Sequence, residues 1–489
     1  GMKVLILEKN SVPGGAVTTF YRNGYPIDIC HSLCAIKQGA FLRKIFDYIG
    51  VYEQIEFREL EKSFVYVTEE INNPILCYAD PEKYTRELIT KFPNESANIK
   101  RIFNEIGETW DKEILNTYYN PSNFLLFFYP FLFPKLFKYR NLTFGEFLSK
   151  FTENAELKRV ISVGWPYLGL EMNKVSALYM FCLIGAYHKE KSYFVKGGFG
   201  KISEVLATNF AKLGGKLLYK TQVEKIILNR GHKACAVKDS KNNTYTGKKI
   251  ISNIDSKKTF LNLIDKDVFP SRFLKKVTNS KLSCSAIQIH FFVEADIGED
   301  YLSTGTIALP FIIDLELKIK QLLKVDCNLY SKPVFSVSIN TANDFSSTGN
   351  QDIYVLNLVW LPANYNLWHD FIIKFGEKDY EVMKEEIIAM VLQEINKIWK
   401  IKNVKFSHVL TPISVEKWLN ASEGAIYDLA ATPNQMLLNR LKNTSPIENL
   451  YLVGAKTFPG AGMAGGLLSA TYLSDILLKN KITLGKFTL

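Results

Sequence analysis

An apolar run, Val4-Leu5-Ile6-Leu7, ends in Glu8. A carboxylate that closes a buried parallel strand is placed to accept both hydroxyls of a ribose, as in dinucleotide-binding folds. Such a residue ordinarily stands about 20 positions beyond a Gly-x-Gly-x-x-Gly loop, and only seven residues precede Glu8. Alone the feature is weak, because strand-ending glutamates are common at surface edges. Pro13-Gly14-Gly15 follows; glycines there let a backbone approach a pyrophosphate with no Cβ in the way. Near the other end, Gly460, Gly462 and Gly465 make a literal Gly-x-Gly-x-x-Gly after the apolar run Leu450 to Val453. No second strand and no ribose acid fit in the 24 residues beyond Gly465, so this is not a first-strand phosphate loop. It reads as a helix N-terminus whose amides and positive dipole end would stabilise negative charge on a bound ring. Close helix–strand packing would ask for the same glycines.

The elements that must position these residues follow from periodicity. Val4 to Leu7 reads as a strand buried on both faces, as in a parallel sheet. Gly24 to Asp28 is a turn and a short strand. The stretch from about Pro81 to Tyr119 is mostly helical in pattern. Lys196-Gly197-Gly198-Phe199-Gly200 is a turn leading into a helix from about Lys201 to Leu213. Short strands are predicted at Lys216–Tyr219, Val223–Leu228 and Lys249–Asn253. Alternating runs at Ala286–Val293, Val334–Ile339 and Ile353–Leu361 predict antiparallel strands. A long amphipathic helix is expected near Tyr380–Trp399, and a last helix over Leu467–Leu478.

With 489 residues the chain is too long for one compact core. Hydrophobic residues make up 47% and charged residues 22%, which excludes a disordered chain. The 33 Phe and 25 Tyr are enough to line an apolar cavity as well as to fill a core. The net charge of +11 is spread without a dense basic run or a nucleic-acid module, so no nucleic-acid partner is expected. Seven scattered Cys without a Cys-x-x-Cys pair argue for reduced thiols, a cytoplasmic protein and no metal site. His188 and His290 could serve acid–base chemistry, although a lone His among apolar residues is more often a hydrogen-bonded core residue. No run reaches the roughly 18 apolar residues that span a bilayer. The segment Phe124–Phe133, flanked by Lys135, Lys138 and Arg140, has the make-up of a shallow wedge at the cytoplasmic face of a membrane, or of a buried helix.

Taken together, Glu8-Lys9-Asn10 with Gly14-Gly15, the Gly24–Asp28 strand, Val195-Lys196-Gly197-Gly198 with Gly214-Gly215 and Val223, Thr411-Pro412, Gly424–Tyr427 and Asn449–Gly462 resemble the phytoene desaturase, carotenoid isomerase and retinol saturase family within the amine oxidase superfamily. Order and spacing match over nearly the whole chain. The resemblance implies bound FAD. Its residues would be Glu8 and Lys9 near the adenosine ribose, Gly14 and Gly15 at the pyrophosphate, and Val223 at the adenine. Gly454, Ala455, Gly460, Gly462 and Met463 would lie against the ribityl chain and the flavin ring. Departures are Ala16 in place of an Arg, Cys30 in place of a Gly, Val195 in place of a Pro, and no first strand–loop–helix before Glu8. That last departure leads to the expectation that Met2 is internal to a longer protein and that the chain as given binds FAD weakly or not at all.

The expected fold is α/β: a discontinuous Rossmann-like FAD-binding half (1–70, 190–285 and 405–489), its first βα unit missing, and an antiparallel-sheet and helical substrate half (71–189 and 286–404). The resemblance implies an FAD-dependent oxidoreductase that desaturates or saturates a long apolar polyene. The alternatives are a redox-neutral polyene isomerase and a cofactor-free scaffold. No individual catalytic residue follows from the sequence.

Overall fold

The computed structural model describes residues 2–29, 34–68, 73–116, 129–309, 313–325, 334–345, 352–436 and 439–478. Its largest sheet has seven strands, in the order Lys400–Leu410, Ser285–Asp296, Tyr354–Ala363, Val334–Thr341, Thr304–Leu309, Lys62–Tyr66 and Ile75–Tyr78. Every neighbouring pair is antiparallel except Thr304–Leu309 with Lys62–Tyr66. The three strands expected from alternation are all present within it. The sheet also takes in Lys62–Tyr66 and Lys400–Leu410, which lie at the edges of the stretches expected for the FAD-binding half.

Because side chains alternate faces along a strand, each central strand contributes to two environments. Ile287, Ile289 and Phe291, with Leu356, Leu358 and Trp360, pack against Trp368, Met383 and Ile387 of the helical stretch Tyr365–Ile395. The intervening residues Ala286, Gln288, Ser336, Val359 and Leu361 wall a cavity on the other face. The covering helix is longer than the Tyr380–Trp399 pattern. It starts at Tyr365 and bends at Gly376, where φ is 84° and ψ 178°, a conformation open to glycine. Trp399 lies beyond its end and is buried.

The remaining strands form small sheets. Leu5–Leu7 pairs in parallel with Lys216–Leu218, and Ile250–Ser252 with Leu450–Leu452. Val223–Leu228, Ala234–Asp239 and Thr244–Thr246 make an antiparallel meander. Among the described residues these two parallel pairs are the strands of the expected discontinuous Rossmann-like half. The expectation that Val4–Leu7 is buried on both faces is also corrected: Val4, Leu5 and Ile6 are 41–42% exposed, since their strand has one neighbour and one open edge among the described residues.

The helix Gly200–Lys212 is held by a residue from far upstream. Asp28 ends the strand Tyr25–Asp28; its Oδ2 accepts from the Phe199 amide at 3.0 Å and its Oδ1 from Thr19 Oγ1 at 3.1 Å. Thr19 Oγ1 in turn accepts from the Gly200 amide at 3.0 Å. This satisfies donors that a helix start would otherwise leave unpaired, and it explains why the Gly24–Asp28 and Lys196–Gly200 motifs occur together. The two histidines are core residues. His188 Nδ1 lies 2.6 Å from the Tyr78 carbonyl and its ring stacks on Tyr84 at 4.7 Å. His290 Nε2 lies 3.2 Å from the Asp28 carbonyl.

No described helix is long and apolar enough to cross a membrane. Of the Phe124–Phe133 segment, residues 124–128 lie outside the described residues. Tyr129–Leu132 and Pro134–Tyr139 are short helices, and Phe131 is 84% exposed.

Burial pushes the Asp28 carboxyl up to about 7, against the lowering effect of its hydrogen bonds from Phe199 and Thr19. The folded protein thus keeps a proton there that an unfolded Asp releases near the ordinary value of 3.8. Stability from this group is full below that value and lost as pH rises through about 7. Urea unfolding across this range should show the stability difference between the wild type and Asp28→Asn shrinking as pH rises. A difference that grows with pH would contradict the assignment.

Candidate active site

Three distant stretches meet around Glu8. The Glu8 amide donates to the Leu218 carbonyl at 2.8 Å, and the Thr221 amide donates to the Glu8 carbonyl at 2.8 Å. Glu8 Oε1 accepts from the Asn10 amide at 2.7 Å. The loop beyond it docks on the helix Pro412–Leu419: Lys9 Nζ donates to the Lys417 carbonyl, Asn10 Nδ2 to the Trp418 carbonyl at 3.2 Å, and Trp418 Nε1 to the Gly15 carbonyl at 2.9 Å. That helix begins at Thr411, whose side chain caps it with Ser414. Burial, then the neighbouring charge of Lys258, lowers the pKa of Lys9. Val223 opens its strand opposite Asp239 and does not line the cavity.

The loop from Gly454 to Gly462 is shaped by polar contacts behind it. The Gly454 amide donates to Ser469 Oγ at 3.1 Å, and Thr457 Oγ1 lies 2.5 Å from the same oxygen. Asn443 Nδ2 donates to the Leu452 carbonyl at 3.0 Å and to Ser469 Oγ at 3.1 Å. Arg440 is 1% exposed and makes no ion pair among the described residues. Its Nη2 donates to the carbonyls of Ala455 and of Leu429, the latter at 3.3 Å, and its Nη1 to Tyr179 Oη at 2.9 Å. Tyr179 Oη donates to the Pro459 carbonyl at 3.1 Å. Lys456 is buried with Asp428 and Asp255 facing it. Burial outweighs their attraction and brings its amine down to about 8.

The predicted glycines divide into two kinds. A Cβ on Gly14 would lie 2.2 Å from the Val17 carbonyl, one on Gly454 2.2 Å from Asn253 Oδ1, and one on Gly460 2.1 Å from Tyr179 Oη. A Cβ on Gly465 would lie 2.4 Å from the Gly460 carbonyl. Internal packing accounts for these four. Gly15 and Gly462 have φ of +59° and +86° and nothing within 4 Å of a Cβ, leaving room for close approach of a ligand. Gly462 begins the 17-residue helix Gly462–Leu478, five residues before the Leu467 start expected from apolar periodicity.

These features converge on a cavity of about 1120 Å³. Lys9, Val12, Ala16 and Trp418 line one part, and Gly460, Gly462 and Met463 another. A further wall is the sheet face together with Trp110, Tyr167, Leu168, Tyr179 and Leu183. His408 lines it too, and burial followed by the charges of Lys384 and Arg22 brings its pKa down to about 4. Of the residues expected near the cofactor, Lys9, Gly460, Gly462 and Met463 face the cavity. Glu8, Gly14, Gly15, Val223, Gly454 and Ala455 do not line it.

A family model described as flavin containing amine oxidoreductase matches residues 1–260. The chain belongs to this family. It is an FAD-dependent oxidoreductase. It is 26% identical to an all-trans-retinol 13,14-reductase of Danio rerio over 522 aligned residues, covering 100% of this chain and 84% of that protein. It is 25% identical to a chloroplastic prolycopene isomerase of Daucus carota, over 98% of this chain and 78% of that protein. Among solved structures, an oxidoreductase from Methanosarcina mazei shares the fold with a TM-score of 0.61 at 14% identity, covering 97% of this chain and 94% of that one. Putrescine oxidase with bound putrescine does so with a TM-score of 0.58 at 14% identity, covering 98% and 94%. These relatives lend no support to a cofactor-free scaffold.

The residues present fit FAD. The first residues of the Gly462 helix line the cavity, Gly15 beyond Glu8 has open space where a Cβ would stand, and Glu8 follows the end of the strand Leu5–Leu7. Sequence reasoning missed Tyr179, Trp418 and Arg440. Tyr179 is hidden in the apolar run Ala177–Ile184, and nothing local to Arg440 marks it as buried.

The two kinds of glycine should respond differently to substitution. Gly460→Ala should lose roughly 2–4 kcal/mol in urea unfolding, through overpacking and backbone strain. Gly462→Ala should lose about 1–2 kcal/mol from its backbone angle alone but weaken FAD binding more than its stability loss explains. Equal stability losses with unchanged FAD titration would contradict the assignment.

Proposed function

We propose that this flavoenzyme acts on a long apolar polyene, desaturating or saturating it. The observation that carries the reading is the apolar cavity, which runs from the N-terminus of the Gly462–Leu478 helix to the inner face of the seven-stranded sheet. Its sheet-side wall is dominated by aromatic and aliphatic side chains, which suit a long hydrocarbon. The retinoid and carotenoid named for the relatives at 26% and 25% identity are substrates of that shape.

In this reading the chain divides as 1–70, 190–285 and 405–489 for the cofactor and 71–189 and 286–404 for the substrate. Glu8 and Lys9 hold the adenosine, Gly15 lets the pyrophosphate approach beside the turn that Gly14 shapes by packing on Val17, and Val223 lies at the adenine. Gly454, Ala455, Gly460, Gly462 and Met463 hold the ribityl chain and ring. Bound FAD supplies the two-electron chemistry. The protein orients the polyene across the cavity, excludes water with Trp110, Leu183, Val359 and Leu361, and fixes the loop Gly454–Gly462 through Arg440.

The test is anaerobic mixing of the FAD-loaded protein with a polyene in single turnover. Bleaching of the oxidised flavin in step with loss of the polyene is the expected result. Conversion of a cis to a trans polyene with no net change in flavin would place the reaction as isomerisation instead. No change in the polyene with either oxidised or reduced flavin would contradict the reading.

A polyene dissolves in membranes, and the protein has a surface suited to reach it there. Phe131 and Leu132 are 84% and 49% exposed and Phe137 is 40% exposed, with Lys138 and Arg140 beside them. This surface is the proposed contact with the cytoplasmic face of a membrane. Each apolar side chain inserted contributes roughly 1.5–3 kcal/mol. Joint Phe131→Asp and Leu132→Asp substitution should release the protein from anionic liposomes in co-sedimentation, and unchanged co-sedimentation would contradict the contact.

A further inference from the structure

The buried Arg440 has only neutral acceptors among the described residues. Its Nη1 donates to Tyr179 Oη at 2.9 Å and to the Gln435 carbonyl at 3.3 Å, and its Nη2 to the Leu429 carbonyl at 3.3 Å and to the Ala455 carbonyl. The acids in this region are committed elsewhere. Asp428, next to Leu429, and Asp255 both face Lys456. Asp428 also accepts from the Ser256 amide and hydroxyl, and Asp255 from Ser422 and the Lys258 amide. On the cationic side, Lys276 Nζ donates to the Arg440 carbonyl at 3.3 Å, and the charge of Lys442 acts on Lys276. The region is therefore positive on balance.

A guanidinium does not lose its proton inside a protein, so this charge persists when buried. The hydrogen bonds alone do not call for it: a neutral amide donates to carbonyls without the desolvation cost of a cation. What the charge adds is a field, and burial keeps salt from screening it. The field reaches the cavity through one layer. Tyr179 and Pro459 line the cavity; Arg440 donates to the phenol of the first, and that phenol donates to the carbonyl of the second at 3.1 Å. Gly460, Gly462 and Met463 continue the same wall, and the N-terminal end of the helix Gly462–Leu478 has the same sign.

We propose that the charge of Arg440, one side chain behind the cavity wall, favours the reduced, negatively charged flavin over the oxidised one. This rests on the reading that sets the flavin ring against Gly460–Met463, and it is independent of which substrate the cavity takes. Hydride transfer breaks a C–H bond of the donor and carries the hydrogen with both bonding electrons to the ring, which gains one negative charge. A cation fixed in advance stabilises that charge without reorganisation. Arg440 is a positioning residue here, acting through Tyr179 and the carbonyls of Ala455 and Pro459.

The experiment is an anaerobic reductive titration of bound FAD against a reference dye, in wild type, Arg440→Gln and Arg440→Lys, beside free FAD in the same buffer. The wild type should be reduced at a higher potential than free FAD. Arg440→Gln, which keeps an amide donor and loses the charge, should lower the ratio of reduced to oxidised flavin at least roughly tenfold, about 30 mV for a two-electron couple. Arg440→Lys should restore most of that loss. An unchanged potential in Arg440→Gln, or an equal loss in Arg440→Lys, would overturn the assignment. If Arg440→Gln does not fold, a wild-type potential at or below that of free FAD overturns it. The place of the ring is read separately from Gly462→Ala, which should shift the absorption spectrum of bound flavin. A spectral shift there with no change of potential in Arg440→Gln overturns this assignment alone; no spectral shift overturns the ring placement and this assignment with it.

Discussion

The stretch from Val453 to Ala461 has no regular structure to shape it, so its form depends on a buried guanidinium. Arg440 reaches carbonyls of Leu429 and Ala455 and the phenol of Tyr179, and that phenol reaches the Pro459 carbonyl. A buried cation held by neutral acceptors, with no carboxylate among the described residues, is costly to desolvate. What it secures is a fixed relation between the strand Leu450–Leu452, the helix Gly462–Leu478 and the cavity wall at Tyr179. The tight Gly460–Tyr179 approach and the Gly460–Gly465 approach are both consequences, since neither tolerates a Cβ.

The seven-stranded sheet solves a second problem with the two-residue period of its strands. One face is committed to a dry core under the helical stretch Tyr365–Ile395. The other is free to present a mostly aliphatic wall to a ligand, with Gln288 and Ser336 as its polar members. Residues one position apart in sequence, such as Ile287 and Gln288, therefore face the dry core and the cavity separately. The polar groups deeper in that face converge on a single atom: Gln288, His290 and Asn357 all reach the Asp28 carbonyl. The same Asp28 caps the helix Gly200–Lys212 through its side chain, so one residue ties that helix to the seven-stranded sheet.

Much of this was legible in the sequence, because it was written in local patterns. Alternation in Ala286–Val293 and Ile353–Leu361 marked central strands, and the run Val223–Leu228 is a strand at those bounds. The glycines near both ends marked backbone turns, although only the structure separates Gly460, which packs on Tyr179, from Gly462, which is open. Tertiary choices were not legible. Arg440 and Tyr179 are 261 residues apart, and no local pattern announces such a contact. The exposure of Val4–Ile6 depends on how many neighbours a strand has, which hydrophobicity does not encode. Ser336 sits in an alternating run where a serine normally reads as a solvent-facing residue, and its burial follows from the cavity on that face.

The most direct test of the central claim is a crystal structure of the protein with FAD bound. The expected result places the adenosine ribose on the Glu8 carboxylate and the flavin ring against Gly460–Met463, with one ring face open to the wall formed by Ala286, Val359 and Leu361. A ring located outside that cavity, or an adenosine away from Glu8, would contradict it.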